Sequence, residues 1–550
     1  MAERNIELVG ASYIEGRKVE ILVRVKDYIN DEYVDVSIPR DELSPQTVNK
    51  IIVDNNGVCQ NAKKICDSLK KSFDDSLLNG KLLVRRFHEH LGWGKVKEKV
   101  VFYGLNVISA NDEVESSYCG NVDVKHVGDI ENISNMIRNQ IMPLEEWSPL
   151  EAVIAFGVGA TVLPYANIAW NASLNNIMVH LLGDSSTGKS TSLMLFSGLG
   201  SNPSPKKGYW INYGSSDVSI IKRIGNNNGY PVVIDELSEG SRKECDALVY
   251  SIGNGEEKDR LKPGGNGFQQ SSTFQTVVLS SGEVSLIKKC SKNGGVRARC
   301  VELSNIYWTD SKQQSLAVKE CMQKNYGLVT PKVAQELVMN NVKWRERWAY
   351  WKSQIENRIE KDEIKLSVSE RISDYVAIFA LSAEIANVVL SVELDVKKIF
   401  GFCYEHIIIA NEEEANLSAR AYSAIVEYIS INKERFADAT FYSGCRSMYD
   451  DITLTANEDG FFHKTRRKNI DGKDYDMVYV FRRGIIENVL SDAGFSDIKV
   501  TLFKLREGGY LKTKDKQRNT YAYTVNGSSQ NCVAVYFADE TMNGCKIEDE

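Results

Sequence analysis

Residues 183–191 read Gly183-Asp184-Ser185-Ser186-Thr187-Gly188-Lys189-Ser190-Thr191, a complete G-x-x-x-x-G-K-[ST] phosphate loop. This pattern constrains the fold because it works only between a strand and a helix. The loop's backbone N–H groups and the helix N-terminus must converge on one phosphate chain. Both neighbours are present: the apolar run Ile177–Leu182 precedes the loop, and a helical pattern follows from Lys189 to Leu199. About 45 residues after Ser190, a second apolar run ends in two acids, Val232-Val233-Ile234-Asp235-Glu236. In P-loop chemistry Lys189 would neutralise the β- and γ-phosphates, Ser190 would bind Mg²⁺, and Asp235 would support that metal. Glu236 is the residue type that polarises an attacking water, which points to hydrolysis of ATP rather than phosphoryl transfer to a second substrate.

Three further groups fall where ring ATPases of the AAA+ class carry function. The strand-like run Phe274–Ser281 ends in Ser280-Ser281, where a polar side chain (sensor 1) helps position the water; Ser281 is the first choice and Ser280 the second. Arg297 and Arg299 follow, and one of them is expected to reach a neighbouring subunit's γ-phosphate as an arginine finger. Arg371, early in a helix of the expected lid, is a candidate sensor 2. Between the acid pair and Ser280, glycines flank a short charged stretch with Pro263-Gly264 as its turn, which predicts a hairpin. In ring helicases such a hairpin holds the nucleic-acid backbone, which makes Lys262, then Arg260 and Lys258, the candidate contacts.

A chain of 550 residues with 43% hydrophobic residues and ten prolines is expected to be ordered and to hold several domains. Its expected class is multidomain α/β: an α+β N-terminal domain (1–146), a P-loop AAA+ core (147–309), a helical lid (310–416) and a winged helix-turn-helix domain (417–550). The winged reading rests on a helix over 498–507 closed by Gly508-Gly509, then a strand pair across 512–519 into Tyr521–Val525. The eleven cysteines form no C-x-x-C pair and no secretory signal is evident, so a cytoplasmic, reduced protein without a zinc ribbon is expected. The apolar stretch Ala152–Leu163, interrupted by Pro164, reads as a buried helix too short to cross a bilayer. A net charge of −7 excludes a uniformly basic coat but not local basic surfaces. Lys504, Arg506, Lys512 and Lys514 form one such cluster and are candidate DNA contacts; Lys464, Arg466, Arg467 and Lys468 form another.

The phosphate loop together with Tyr209-Trp210-Ile211-Asn212, Pro231–Leu237, Ser281-Gly282-Glu283, Gly295–Arg299 and the earlier Leu91-Gly92-Trp93 resembles the MCM-like replicative helicases of staphylococcal cassette chromosome elements, the Cch type. The resemblance implies a hexameric AAA+ helicase that encircles DNA, uses ATP and Mg²⁺, translocates 3′ to 5′ and acts with element-encoded replication proteins. Two departures from cellular MCM proteins stand out: Ser280-Ser281 where those proteins carry asparagine, and no zinc-binding cysteines in the N-terminal region. The competing functions are an ATP-switched DNA-binding initiator, favoured by the winged helix, and a protein remodeller, which would carry an aromatic pore loop in place of the lysine-bearing hairpin.

Overall fold

Tyr33–Ile38 alternates polar and apolar residues, the pattern of a strand covered on one face, and it lies at the edge of the first sheet. The computed structural model describes the chain apart from residues 1–5, 15–18, 111–113, 143–146, 238–243, 258–270, 291–293, 363, 365–369, 411–416, 440–451, 471, 496–497, 515–517 and 539–550, and the side chains of Glu370 and Arg371. The first strands are β1 (Ile6–Ile14), β2 (Glu20–Asp27), β3 (Glu32–Pro39), β4 (Val84–His88), β5 (Leu91–Val96), β6 (Lys99–Tyr103), β7 (Val107–Ile108) and β8 (Ser117–Tyr118). One sheet runs β3-β2-β1-β4-β8. Helices Pro45–Asp54 and Ala62–Leu78 close it, burying Val48, Ile52, Cys66, Leu69 and Phe73 against Val23, Val25 and Ile38. Both helices start at a side-chain cap, Ser44 Oγ accepting from Thr47 N–H at 3.2 Å and Asn61 Oδ1 from Lys64 N–H at 3.0 Å.

The next strands are β9 (Ile177–Leu182), β10 (Trp210–Asn212), β11 (Asn227–Asn228), β12 (Val232–Asp235), β13 (Val277–Gly282) and β14 (Cys300–Ser304). Strands β9, β12, β13 and β14 are short apolar runs, as strands covered on both faces must be. With β10 they form a parallel sheet in the order β10-β12-β13-β9-β14. The register pairs Ile234 with Ser280 and Ser281 with Leu181, so β12, β13 and β9 end side by side. In open parallel sheets, ligands bind just beyond such carboxyl ends.

Helix Leu150–Trp170 is buried along most of its length. It continues through Pro164, so the expected interruption does not occur and its 21 residues are long enough to span a bilayer. Burial decides instead: 83% of its most apolar window, and 67% of that in the only other such helix found among the described residues, Ile372–Leu390, is covered by protein. Trp93 Nε1 donates to Thr161 O at 2.8 Å, and Thr161 Oγ1 donates to Gly229 O at 2.8 Å. β5 also pairs with β11, and a Cβ on Gly92 (φ +92°) would lie 2.0 Å from Asn228 O. The Leu91-Gly92-Trp93 motif therefore joins an early strand to the helix and loop behind the parallel sheet.

The contacts divide the chain into two compact units: 1–286 with 299–364 and 372–404, and 287–298 with 365–371 and 405–550. The second unit holds helix Leu417–Ile431, β15 (Phe436–Asp438), β16 (Gly460–Ile470), β17 (Lys473–Phe481), helices Arg483–Asp492 and Ile498–Glu507, β18 (Tyr521–Val525) and β19 (Ser528–Phe537). The sheet order is β15-β16-β17-β19-β18. Ile425, Ile429, Ile486, Leu490, Leu502 and Leu505 pack its helices onto Tyr475, Tyr479, Val533 and Val535. The strand expected before Tyr521 is instead the short pairing of Leu511 with Val535, with Lys512 N–H donating to Ala534 O at 2.8 Å. β18 turns through Asn526-Gly527, both at positive φ, into β19. Asn-Gly between two strands is the sequence signal of this turn, since both positions tolerate left-handed backbone.

Candidate nucleotide site and nucleic-acid face

The phosphate loop leaves β9 and enters helix Lys189–Gly198 through two residues in the left-handed region, Ser186 (φ +71°) and Gly188 (φ +92°). A Cβ on Gly188 would lie 2.9 Å from the backbone N of Thr309, so conformation and space both require glycine there. Trp308 N–H donates to Thr187 O at 2.8 Å, Thr187 Oγ1 donates to Asp184 O at 3.1 Å, and Thr191 Oγ1 lies 2.6 Å from Ser315 Oγ. These bonds fix the loop from behind. Its outer edge, Asp184, Ser185, Ser186 and Ser190, is exposed. Lys189 Nζ donates to Gly183 O at 2.5 Å and Asp184 O at 2.6 Å, folding the ammonium over the loop's own carbonyls.

Ser281 Oγ donates to Asp235 Oδ1 at 2.6 Å and accepts from Glu236 N–H at 3.3 Å. One hydroxyl thus holds both members of the acid pair. Glu236 has φ +61°, uncommon for a residue with a side chain and worth about 1–3 kcal/mol of strain, which the surrounding bonds must offset. Ser280 points the other way, as successive strand residues do. It is fully buried, 2.8 Å from His180 Nδ1 and 2.7 Å from Tyr213 OH. Burial pushes the His180 imidazolium down to about 4, so the ring is neutral at pH 7. The bond of its Nε2 to Val284 O, at 3.1 Å, requires the proton on Nε2, because a carbonyl only accepts. Nδ1 therefore accepts from Ser280, and Ser280 accepts from Tyr213. The two serines open as alternatives in the sequence have separate surroundings, Ser280 within the sheet and Ser281 on the acids. His180 and Tyr213 join this network with no sequence signal beyond their types.

Ser281→Ala removes the donor to Asp235 and the acceptor for Glu236 N–H. A hydrogen bond to a charged group is worth about 1.5–3 kcal/mol, so ATP turnover should fall about 10- to 100-fold, with nucleotide affinity changing by no more than about twofold. Steady-state hydrolysis beside fluorescent-nucleotide titration checks this; equal losses in both would show that Ser281 only shapes the binding site.

The remaining sequence-predicted residues are spread more widely. Arg299, just before β14, donates from Nε and Nη2 to Asn254 Oδ1 at 3.1 and 3.0 Å, with its guanidinium 4.8 Å from the Tyr250 ring. Arg297 ends the short helix Gly294–Arg297 and is 7% exposed. Arg371 lies in helix Glu370–Leu390, with its side chain outside the described part. Lys258, Arg260 and Lys262 also lie outside the described residues. The flanks of their segment pair antiparallel: Glu256 bridges Thr273, and Glu257 N–H donates to Ser272 O at 3.1 Å. In the second unit, Lys504 pairs with Glu507 at 2.8 Å and the Arg506 guanidinium lies 4.8 Å from the Phe503 ring. Lys512 lies 5.5 Å from the Tyr521 ring, its pKa lowered by burial, and Lys514 is exposed. Among the described residues no His, Cys, Asp or Glu cluster could hold a metal by itself.

Residues 416–540 match the model of the Cch helix turn helix domain, and residues 13–272 match a domain of unknown function, DUF927. A solved structure described as SCCmec type IV Cch, an active helicase, aligns over 96% of this chain and 93% of its own, with a TM-score of 0.73 and 19% sequence identity. The chain has the Cch fold. The Cch helix-turn-helix match contains helix Ile498–Glu507. The first family match runs from the N-terminal sheets into the parallel sheet, and it includes both β5 and β11, which pair in the four-stranded sheet β11-β5-β6-β7. No curated protein sequence matches the chain.

Proposed function

We propose that this chain is an ATP-dependent DNA helicase of the Cch type, a hexameric AAA+ ring that translocates 3′ to 5′ in the replication of a mobile element. The observation that carries the reading is Ser281 holding Asp235 and Glu236 beside the end of the phosphate-loop strand. The strand order β10-β12-β13-β9-β14 supports a AAA+ core, because it sets the Ser281 strand between the phosphate loop and the acids. Helices Asn341–Lys361, Glu370–Leu390 and Val396–Cys403 supply the proposed lid, with Arg371 as sensor 2. The working division is 1–146, 147–309, 310–416 and 417–550, in a cytoplasmic protein that works with element-encoded replication proteins.

Hard oxygen donors suit Mg²⁺, and Ser190 Oγ and the Asp235 carboxylate are such donors. ATP with Mg²⁺ supplies a phosphoanhydride whose γ-phosphoryl group is open to water. Lys189 would exchange two loop carbonyls for phosphate oxygens, a charge-assisted gain. The backbone of 183–188 and the N-terminus of helix Lys189–Gly198 orient the phosphates. Glu236 accepts the proton of the attacking water, and Ser281 keeps Asp235 and the Glu236 backbone in place.

Coupling to DNA is assigned to the hairpin bearing Lys258, Arg260 and Lys262, and to the winged domain through Lys504, Arg506, Lys512 and Lys514. The test is hydrolysis with and without single-stranded DNA, measured beside strand displacement on a forked duplex. Lys262→Ala is expected to abolish displacement and DNA-stimulated hydrolysis. Displacement equal to wild type would remove the hairpin from the mechanism, and a wild-type protein that hydrolyses ATP without displacing strands would favour the initiator reading.

A further inference from the structure

Strand β16 carries Lys464, Arg466, Arg467 and Lys468 and no carboxylate, within a chain of net charge −7. Lys464 pairs with Met477 and Lys468 with Tyr475, so β16 advances four residues while β17 advances two. The bulge this creates breaks the alternation of faces, and Arg466 and Arg467, adjacent in sequence, are both exposed along with Lys464. Among the described residues these three side chains have no ion pair and no hydrogen bond. Of the acids on β17, Asp474 accepts from Asn469 Nδ2 at 2.9 Å, and Asp476 is exposed without bridging to any of the three.

Lys468 behaves differently. It is half-buried, lies 4.3 Å from the Tyr536 ring and donates to Gly509 O at 2.8 Å. Gly509 follows the C-terminal end of helix Ile498–Glu507, which bears Lys504 and Arg506. Lys468 thus ties the bulged strand beside the end of that helix. Like charges held together without counter-charges repel one another and gain most from a regular polyanion. A duplex, with one charge per about 1.7 Å of axis, is such a polyanion.

We propose that the β16–β17 hairpin is a second DNA contact, in which Lys464, Arg466 and Arg467 grip the phosphate backbone of the duplex engaged by helix Ile498–Glu507. This rests on reading the chain as a DNA-acting protein. The hairpin is separate from the one formed by β18 and β19, and its cations are additional to those on the helix.

The test is the salt dependence of duplex affinity for the full-length protein, measured by anisotropy with a labelled duplex of arbitrary sequence. Each phosphate contact adds about 0.9 to the slope of log K against log salt. Replacing Lys464, Arg466 and Arg467 together by Gln should flatten the slope by up to about 2.7 and weaken binding at low salt at least about tenfold. Arg466→Lys with Arg467→Lys should keep the wild-type slope, which separates charge from damage to the fold; if the triple variant does not fold, Arg466→Gln alone should flatten the slope by about 0.9. Wild-type protein that binds duplex with a slope unchanged in the Gln variants would overturn the hairpin contact and leave the helicase reading standing. Wild-type protein that binds no duplex at any salt would also overturn the hairpin contact, while strand displacement on a forked duplex would separately decide the helicase reading.

Discussion

Glu236→Gln should bind ATP as wild type does and lose about 10²- to 10⁴-fold in turnover, the usual contribution of a positioned general base. The substitution is clean because it keeps the shape of the side chain and every bond seen around it. Ser281 still donates to Asp235, Glu236 contributes only its backbone N–H to that serine, and Asp235 O still accepts from Tyr213 N–H at 3.0 Å. What changes is the capacity to take a proton. Lys189→Ala should behave differently, weakening nucleotide binding and turnover together, since the ammonium is the loop's one mobile positive charge and would serve ground state and transition state alike. Binding by fluorescent nucleotide and turnover by phosphate release distinguish the two variants. Near-wild-type turnover in Glu236→Gln would end the assignment of Glu236 as the base.

The parallel sheet was legible because its markers are local. A glycine-rich loop must follow a strand, the two acids must end one, and the apolar run before Ser280-Ser281 reads as a third; its place between the other two is known only from the pairing. What separates Ser280 from Ser281 is not local, because it depends on whether His180 or Asp235 lies across the sheet, and both serines have the same chemistry. The pairing of β5 with the two-residue strand β11 is also set by tertiary contact, through Trp93 and Thr161, and leaves no periodicity to read. Pro164 signals an interruption in sequence, yet the helix passes through it, as a buried helix can when neighbouring elements hold its remaining turns. In the C-terminal unit two turn signals mark hairpins directly. Asn526-Gly527 and Asp471-Gly472 are both hairpin dipeptides, and the second sits between the basic strand and β17.

The register of the parallel sheet also bears on the proposed ring, in which a second copy of the chain would complete the proposed nucleotide site. β14 runs parallel to β9 with Cys300 opposite Met178 and Ser304 opposite Leu182, which sets Arg299 level with Ile177. Six residues separate Ile177 from Gly183, so at about 3.3 Å per residue the start of the loop is about 20 Å further along the sheet. Arg299 is also held back by Asn254 and Tyr250, at the far end from the phosphates. It cannot serve its own loop. With Arg297 two residues before it, a finger from this segment would have to act on the adjacent subunit, where such an arginine is worth about 10³ to 10⁵ in turnover. The double variant Arg297→Ala, Arg299→Ala should therefore be as inactive as Lys189→Ala while keeping its nucleotide affinity. Mixing the two inactive proteins should restore part of the ATPase activity, because some interfaces would join an intact loop to an intact finger. Sedimentation should find a hexamer when nucleotide or DNA is present. A monomer with full activity, or co-assembled mutants without rescue, would show that the site is complete within one chain.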